Sequence, residues 1–303
     1  MSNRQTVSYL MKRFREIGLD PDARHGQNFL IDINLVELLV RTADLGPDDV
    51  VLEVGTGTGS LTALMAAEAG AVITVEIDEH LHQMAREELA GFDNITMLHQ
   101  DVLRNKNHFD ARVIETIQQK LAESPNRRFK LAANLPYNIA TPVISNLLRC
   151  EVVPDSMTVT IQKELGDRIT AKPGKKDYSA LSIWIQSLCD AELVRVMPPS
   201  VFWPRPKVHS AILHIVHRPE RRERIPDIEF FHTFVRSMFF HRRKFLRSVM
   251  ISAFKGRLEK PDIDEVMARL SLGPDTRAEQ LDVPTMLVLC ELLREKVANS
   301  IQS

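Results

Sequence analysis

Short apolar runs alternate with amphipathic stretches through the first part of the chain. Residues 50–54 (VVLEV) form such a run and lead into glycines, which predicts a buried strand. Because similar runs recur with amphipathic helices and short turns between them, we predict an α/β fold with a parallel, doubly wound sheet. The predicted strands are residues 50–54, 71–77, 95–98, 129–133, 157–161, 193–197 and 211–216, and the predicted helices include 61–69, 79–89, 111–121 and one capped by Asp32 that runs to about Ala43.

The pattern changes near residue 218. The segment 218–226 is charged and bounded by Pro219 and Pro226, so we interpret it as a linker. Beyond it, apolar residues recur at helical spacing, as at Phe230, Phe234 and Met238. We therefore predict two domains, residues 1–218 with the sheet and residues 219–303 with helices.

The composition is that of a globular protein. Of 303 residues, 44% are hydrophobic and 26% are charged. No apolar run is long enough to cross a membrane, and the start of the chain has no apolar core of signal-peptide length. The three cysteines lie far apart in no metal-binding pattern, so we expect a cytoplasmic protein without a metal site.

Charge is distributed unevenly although the net charge is −1. Residues 195–260 contain 15 lysines and arginines but 5 acids, whereas residues 68–93 contain 7 acids and a single arginine. The first region can contact phosphates and the second can face a cationic ligand; two solvated surfaces are the plainer interpretation.

A glycine-rich loop, residues 53–59 (EVGTGTG), follows the first predicted strand. Gly55 and Gly57 allow the backbone to approach a nucleotide-like ligand before turning into a helix. The dinucleotide fingerprint has its last glycine one residue later than Gly59, and no lysine or arginine lies in the loop. The loop therefore favours a cationic cofactor such as S-adenosylmethionine over a pyrophosphate.

Two acidic residues follow the next strands. Glu76 lies 21 residues after Gly55, at the tip of the second predicted strand, where a carboxylate can accept both hydroxyls of a ribose. Asp101 follows the third strand and can accept from the amino group of an adenine. An ordinary exposed acid and a helix cap are the respective alternatives.

The tetrapeptide 134–137 (NLPY) follows the fourth strand. The amino group of adenine is conjugated with its ring and is a poor nucleophile. Two acceptors, the Asn134 side-chain oxygen and the Leu135 carbonyl, can draw its lone pair out of the ring plane, while Pro136 fixes the turn. Tyr137 can stack on an extruded base. Asn and Pro also favour plain turns.

Together these motifs make the chain resemble the small-subunit (16S) rRNA adenine dimethyltransferase family over nearly its full length. The resemblance also rests on residues 26–30 (GQNFL), 201–211 (VFWPRPKVHSA), 241–244 (HRRK) and 277–279 (RAE). It implies a Rossmann-like S-adenosylmethionine methyltransferase sheet in residues 1–218 and a helical RNA-recognition domain in residues 219–303. The implied cofactor-binding residues are Asn28, Leu30, Gly55, Glu76, Asp101 and Asn134.

The resemblance further implies the substrate: two adjacent adenines, each methylated twice, in the hairpin near the 3′ end of small-subunit rRNA. Two departures from the family pattern stand out, His25 in a place usually held by an apolar residue and a long connection before Asn134. Neither affects the predicted chemistry.

Further residues are candidates for contact with RNA. Phe202, in a proline-stiffened loop, can hold the target base against Tyr137, although a core phenylalanine is the plainer interpretation. The run 172–177 (KPGKKD) is predicted to be a mobile basic loop. Four cations at helical spacing can bind phosphates, or line a solvated helix face: Arg242, Arg243, Lys244 and Arg247.

Three other functions compete with this one. A resistance-type methyltransferase of large-subunit (23S) rRNA shares the cofactor and catalytic motifs, but the RAE segment and the longer helical tail favour the small-subunit substrate. A non-catalytic nucleic-acid-binding relative would not need the intact NLPY motif. A small-molecule methyltransferase would not need the basic tail. We expect a monomer that acts on small-subunit rRNA or the assembled subunit, away from membranes.

Overall fold

The computed structural model describes residues 7–16, 18 and 27–302. The chain divides into two compact units. The first, here the sheet unit, comprises the chain up to Gly166 together with Glu192–His217; the second, the helical unit, comprises Asp167–Ala191 and the chain from Arg218 onward. The chain therefore passes between the units three times.

Eleven strands are defined in the described residues. Seven of them form one sheet and the other four form two small antiparallel pairs. They are β1 (Phe29–Leu30), β2 (Asp49–Val54), β3 (Ala71–Glu76), β4 (Ile95–His99), β5 (Leu103–Asn105), β6 (His108–Phe109), β7 (Arg128–Asn134), β8 (Ser156–Gln162), β9 (Cys189–Met197), β10 (Phe202–Trp203) and β11 (Ser210–His217).

The strand order of the large sheet is β4-β3-β2-β7-β8-β11-β9. The first five strands are parallel, and every residue of β2 and β3 is buried, which explains their apolar runs. The predicted α/β class is confirmed. The expectation of a wholly parallel sheet is wrong at β11, which runs antiparallel to β8 with Ser210 opposite Gln162. The chain re-enters the sheet there at the carboxyl end of β8, with no crossover helix before it.

Helices cover the sheet as the pattern predicted. Asp32 caps its helix by accepting from the backbone N–H of Asn34 (3.0 Å), and Leu39 on the apolar face is fully buried. The long connection before β7 holds the predicted helix and also an unpredicted hairpin, β5–β6. The helices up to this point are α1 (Val7–Glu16), α2 (Ile33–Ala43), α3 (Ser60–Ala66), α4 (Glu79–Glu88), α5 (Ala111–Ala122) and α6 (Ala140–Leu147), followed by α7 (Lys163–Thr170).

Aromatic side chains organise the helical unit. Trp184 is buried against His232, with ring centroids 4.8 Å apart, and against Phe231. The Tyr178 hydroxyl donates to the Leu281 carbonyl (3.0 Å). The helices are α8 (Ala180–Gln186), α9 (Pro219–Arg222), α10 (Ile228–Phe239), α11 (Leu246–Ala253), α12 (Lys260–Arg269) and α13 (Val283–Gln302).

The helical unit therefore includes residues 167–191, which the division at residue 218 had assigned to the first domain. No linker composition marks residues 166 or 191, and the buried aromatic rings draw this segment to the later helices. The segment 218–226 is also more than a linker, because it contains α9. Arg218 and Arg221 both donate to the Asp190 carboxylate (2.7 and 2.6 Å), which lowers its pKa.

Among the described residues, no helix is both long enough and apolar enough to span a membrane.

Candidate active site

The glycine loop connects β2 to α3. Gly55, Gly57 and Gly59 all have positive φ, at +84°, +55° and +78°, a backbone region that side chains other than glycine rarely adopt. A Cβ atom added to Gly57 would also lie 3.2 Å from the ring of Phe29. Glycine is therefore required at this turn, which brings backbone N–H groups to the carboxyl end of the sheet.

Glu76 ends β3 beside this loop and is 4% exposed. One carboxylate oxygen accepts from the backbone N–H of Gly57 (2.9 Å), and the other accepts from those of Ile77 and Asp78 (both 3.0 Å). Burial raises the pKa of Glu76, and these backbone donors oppose the rise. The three bonds hold the carboxylate in place and tie the glycine loop to β3.

Glu53 lies in β2, the strand next to β3, and its side chain is buried at 1% exposure. Its carboxyl group accepts from the hydroxyls of Thr62 and Thr74, each at 2.6 Å. Burial raises the pKa of Glu53 to about 8, against the opposing effect of these two hydroxyls. At neutral pH this carboxyl therefore holds a proton.

A cavity of about 1140 Å³, including its open mouth, lies above these carboxyl groups. Glu53, Glu76 and Asp101 line it, and among its described lining residues there is no lysine or arginine. The carboxylates of Glu76 and Asp101 accept hydrogen bonds, so this lining fits a cationic, ribose-containing ligand and disfavours a pyrophosphate. All seven residues predicted to bind the cofactor line the cavity: Asn28, Leu30, Gly55, Gly57, Glu76, Asp101 and Asn134.

Several lining residues were not among the predicted ones. Ile77, 51% exposed, and Val102 each directly follow a predicted acidic residue, and Leu81 and Ile139 add further apolar surface. Their position next to Glu76 and Asp101 was the available signal. Such side chains can pack on the flat faces of a bound nucleoside. Asp101 is exposed, and one of its oxygens accepts from the backbone N–H of Leu103 (2.9 Å).

The NLPY turn begins at the end of β7. The Asn134 side-chain nitrogen donates to the Asn28 carbonyl (2.8 Å), which leaves the amide oxygen as the acceptor of this side chain. Leu135 is buried and bonds through its N–H to Thr160 of β8 (3.1 Å). The structure thus orients Asn134 from two sides, through the strand and through the segment before β1.

Three residues of the predicted catalytic set lie outside the cavity lining: Leu135, Tyr137 and Phe202. The hydroxyl of Tyr137 bonds to that of Ser210, and burial raises the pKa of this tyrosine. Phe202 is 1% exposed and belongs to the core beneath α2, because β10 pairs with β1 and places it opposite Leu30. In this conformation its ring has no free face for stacking.

A family model described as ribosomal RNA adenine dimethylase matches residues 21–291 of the chain. The chain belongs to the ribosomal RNA adenine dimethylase family. This confirms the resemblance inferred from the motifs, including the expectation of a methyltransferase. Two of the motif positions, His25 and Gly26, lie outside the described residues.

Relatives of the dimethylase family agree in length and fold. A protein named ribosomal RNA small subunit methyltransferase A, from Halothermothrix orenii, is 38% identical over 275 residues, 90% of this chain and 88% of that protein. A dimethyladenosine transferase from Plasmodium falciparum has a TM-score of 0.72 at 22% identity, covering 88% of this chain and 97% of that one. A 23S rRNA methyltransferase has a TM-score of 0.62 at 24% identity, covering 88% and 100%. The two structures show a shared methyltransferase fold.

The four basic residues predicted to contact RNA lie in the helical unit of this dimethylase family member. Arg242, Arg243 and Lys244 are exposed in the turn between α10 and α11, and Arg247 lies in α11. Their interpretation as residues at helical spacing is wrong, because α10 ends at Phe239 and the chain leaves the helix there.

The four cations have different surroundings. Arg242 is paired with Glu279, and Arg247 forms a two-pronged pair with Asp264, whose second contact is 2.8 Å. Among the described carboxylates, none pairs with Arg243 or Lys244. The nearby loop 172–177 is joined to the same region, since Gly174 donates to the Glu279 carbonyl (2.8 Å).

Proposed function

We propose that this chain transfers methyl groups from S-adenosylmethionine to N6 of two adjacent adenosines in the 3′-terminal hairpin of small-subunit rRNA, each twice. The observation that carries the proposal is the position of Asn134, at the edge of a carboxyl-lined cavity with its amide oxygen left to accept. Small-subunit rRNA as the substrate is supported by the name of the relatives and by the basic residues of the helical unit.

The residues of the cavity fit the cofactor. When bound, S-adenosylmethionine supplies an electrophilic methyl group on a positively charged sulfur. Glu76 has about four lone-pair sites, and three already accept backbone N–H groups, so it can accept one further ribose hydroxyl rather than two. We assign Asp101 to the amino group of the cofactor's adenine, while Asn28, Leu30, Gly55 and Gly57 complete the cavity lining.

The catalytic role belongs to the NLPY turn. We assign the Asn134 oxygen to one hydrogen of the target amine and the Leu135 carbonyl to the other, which makes the nitrogen lone pair available for attack. Pro136 shapes the turn, and the Tyr137 ring, held through its hydroxyl by Ser210, stacks on the base. Each transfer consumes one cofactor molecule and releases one proton from the target nitrogen to solvent. After the first methylation one hydrogen remains, so the amine can be held for a second transfer from a fresh cofactor molecule. Positioning provides most of the acceleration, and no strong base is needed.

RNA binding is assigned to the helical unit. Arg243 and Lys244 offer unpaired charges to phosphates, and Arg242 and Arg247 can join them by exchanging a carboxylate for a phosphate. Cys150, Cys189 and Cys290 are all free thiols, which suits a protein of the reducing cytoplasm. We propose that it acts there as a monomer on the pre-assembled small subunit.

A labelling experiment tests the proposal. Undermethylated small subunits, large subunits and free rRNA are each offered the protein and labelled cofactor, and the label is mapped. We expect dimethylation of two neighbouring adenosines in small-subunit rRNA. Label in large-subunit rRNA would assign the chain to the alternative class of rRNA methyltransferase, and no label on any RNA would indicate a non-catalytic binding protein or a small-molecule methyltransferase.

A further inference from the structure

Phe240 is the most exposed large apolar side chain in the described residues, at 80%. It directly follows α10, and its ring meets that of His241 edge to face, with centroids 4.9 Å apart. Little of the ring packs against the protein, so its burial contributes little to folding. A single exposed apolar residue needs no explanation by itself, but the surroundings of this one do.

A groove opens beside the Phe240 ring. Its walls come from α10 and α11, and they combine an aromatic face, hydroxyl groups and a guanidinium group with small apolar side chains. The lining residues are Thr233, Arg236, Ser237, Phe240, His241, Val249, Ser252 and Ala253. A flat ring seated against Phe240 would have hydrogen-bonding groups within reach at its edge, a combination that suits a heterocyclic base better than an aliphatic side chain.

The basic residues around the groove favour an anionic partner. Arg236 lines it, and Arg242, Arg243 and Lys244 follow Phe240 in the same turn. Glu279 neutralises Arg242, whereas Arg243 and Lys244 have no carboxylate partner among the described residues. An aromatic ring followed closely in the chain by two unpaired cations complements a strand that alternates flat bases with phosphates.

We propose that Phe240 and this groove form a subsite for one unpaired nucleobase of the rRNA, separate from the site of methyl transfer. The base stacks on the Phe240 ring, and the phosphates beside it bind Arg243 and Lys244. A base can stack on Phe240 only where it is not stacked in an RNA helix, so the subsite binds single-stranded and not paired nucleotides. This inference rests on the proposed function, since it requires an RNA substrate.

Binding measurements with three variants test the inference. Phe240→Ala removes the stacking face, Phe240→Trp restores a larger one, and Val288→Ala is the control, since Val288 is another exposed apolar residue of the same unit outside the groove lining. The probes are protein-free small-subunit rRNA and a fully paired RNA duplex. Phe240→Ala should weaken binding to the rRNA by roughly 10-fold, the loss typical of one stacked base.

The same change should leave duplex binding and the salt dependence of rRNA binding unaltered, because no charge is lost. Phe240→Trp should restore the affinity, and Val288→Ala should bind like the original protein. Affinity for S-adenosylmethionine should not change, because every residue that lines its cavity belongs to the sheet unit.

Three results would overturn the inference. Unchanged rRNA binding by Phe240→Ala would remove the subsite while leaving methylation of the wild type intact. Equal losses for rRNA and duplex would show that no unpaired base is read. A loss seen with assembled subunits but not with protein-free rRNA would assign the groove to a ribosomal protein. Failure of the proposed function is distinguishable, since the wild-type protein would then transfer no methyl group to small-subunit rRNA.

Discussion

The candidate cofactor cavity and the basic turn after α10 hold their ionisable groups in opposite ways. In the cavity, Glu76 and Glu53 are almost completely buried, and each is held by several donors from its own unit. In the turn, Arg243 and Lys244 extend into solvent. A small ligand is bound by groups whose geometry is fixed in advance, because misplaced buried groups are costly. A polyanion is attracted by charge, which acts over longer distances and tolerates mobile side chains.

The largest effect that this comparison predicts is at Asn134. Asn134→Ala removes the proposed acceptor for the amine, and the rate of both methyl transfers should fall by on the order of 10²-fold or more, as for other lost transition-state hydrogen bonds. Single-turnover methylation with saturating cofactor and RNA measures this rate without the accompanying change in cofactor affinity. A near-normal rate would mean that the amine is activated by another group.

The proton on Glu53 makes the stability of the folded protein depend on pH. Its pKa is raised to about 8 from an ordinary 4.5, so the folded protein keeps a proton that the unfolded chain releases. Its contribution is therefore fully present below about pH 4.5 and is lost as the pH rises through 8. The melting temperature of the original protein should fall between pH 6 and pH 8 by more than that of Glu53→Gln.

The glutamine in that variant keeps an acceptor oxygen for Thr62 and Thr74 but cannot ionise. Burial also raises the pKa of Glu76, so the difference between the two proteins, not the total slope, isolates Glu53. Parallel pH profiles of the two melting temperatures would contradict the assignment.

Removal of the Glu76 carboxylate should weaken cofactor binding. Glu76→Ala should cost about 1–3 kcal/mol, the penalty for leaving buried hydrogen-bonding groups unpaired. Titration calorimetry with S-adenosylmethionine measures it, and Glu79→Ala, an exposed acid on the next helix, is the control. Glu76→Gln should lose less, because it keeps one acceptor. Wild-type affinity in Glu76→Ala would place this residue outside the site.

The smallest effect concerns the unpaired cations. Replacing Arg243 and Lys244 together by glutamine should weaken RNA binding several-fold and reduce the slope of log affinity against log salt by about 1–2. The matched double variant Arg242→Gln and Arg247→Gln removes the same charge from residues already paired with Glu279 and Asp264, and should change the slope less. Equal changes would show that all four contact phosphate.

The two regions also differ in how far the sequence predicted them. The cavity was predictable because Gly55, Glu76 and Asn134 each follow a buried apolar strand, and parallel strands bring their carboxyl ends to one edge. The predicted residues at these strand ends line the cavity for this reason, whereas Asn28 and Leu30 were implied by the family resemblance alone. The two-residue pairing of β1 with β10 carries no such pattern, so the burial of Phe202 was not foreseen.

In the helical unit, local spacing was a poor guide. A helix was assumed through Arg242 and Lys244, but the chain turns after Phe239. The partners of Arg242 and Arg247 lie 37 and 17 residues away, and sequence periodicity does not report contacts at that distance.

Strand β9 of the large sheet also began earlier than predicted, at Cys189, because its largely exposed residues lack a continuous apolar run.

Because the chain passes between its units three times, the helical unit cannot be removed or exchanged as one continuous segment. Trp184 and Tyr178 come from the inserted segment 167–191, yet they complete the core of helices that begin after residue 218. A fragment that starts at residue 219 would lack both side chains and expose the surfaces of Phe231 and Leu281 that they cover. An end-to-end gene fusion could not add this helical module to a methyltransferase sheet, since the donor must also supply an internal insertion. Exchange of this helical unit between relatives therefore requires two grafts that match each other.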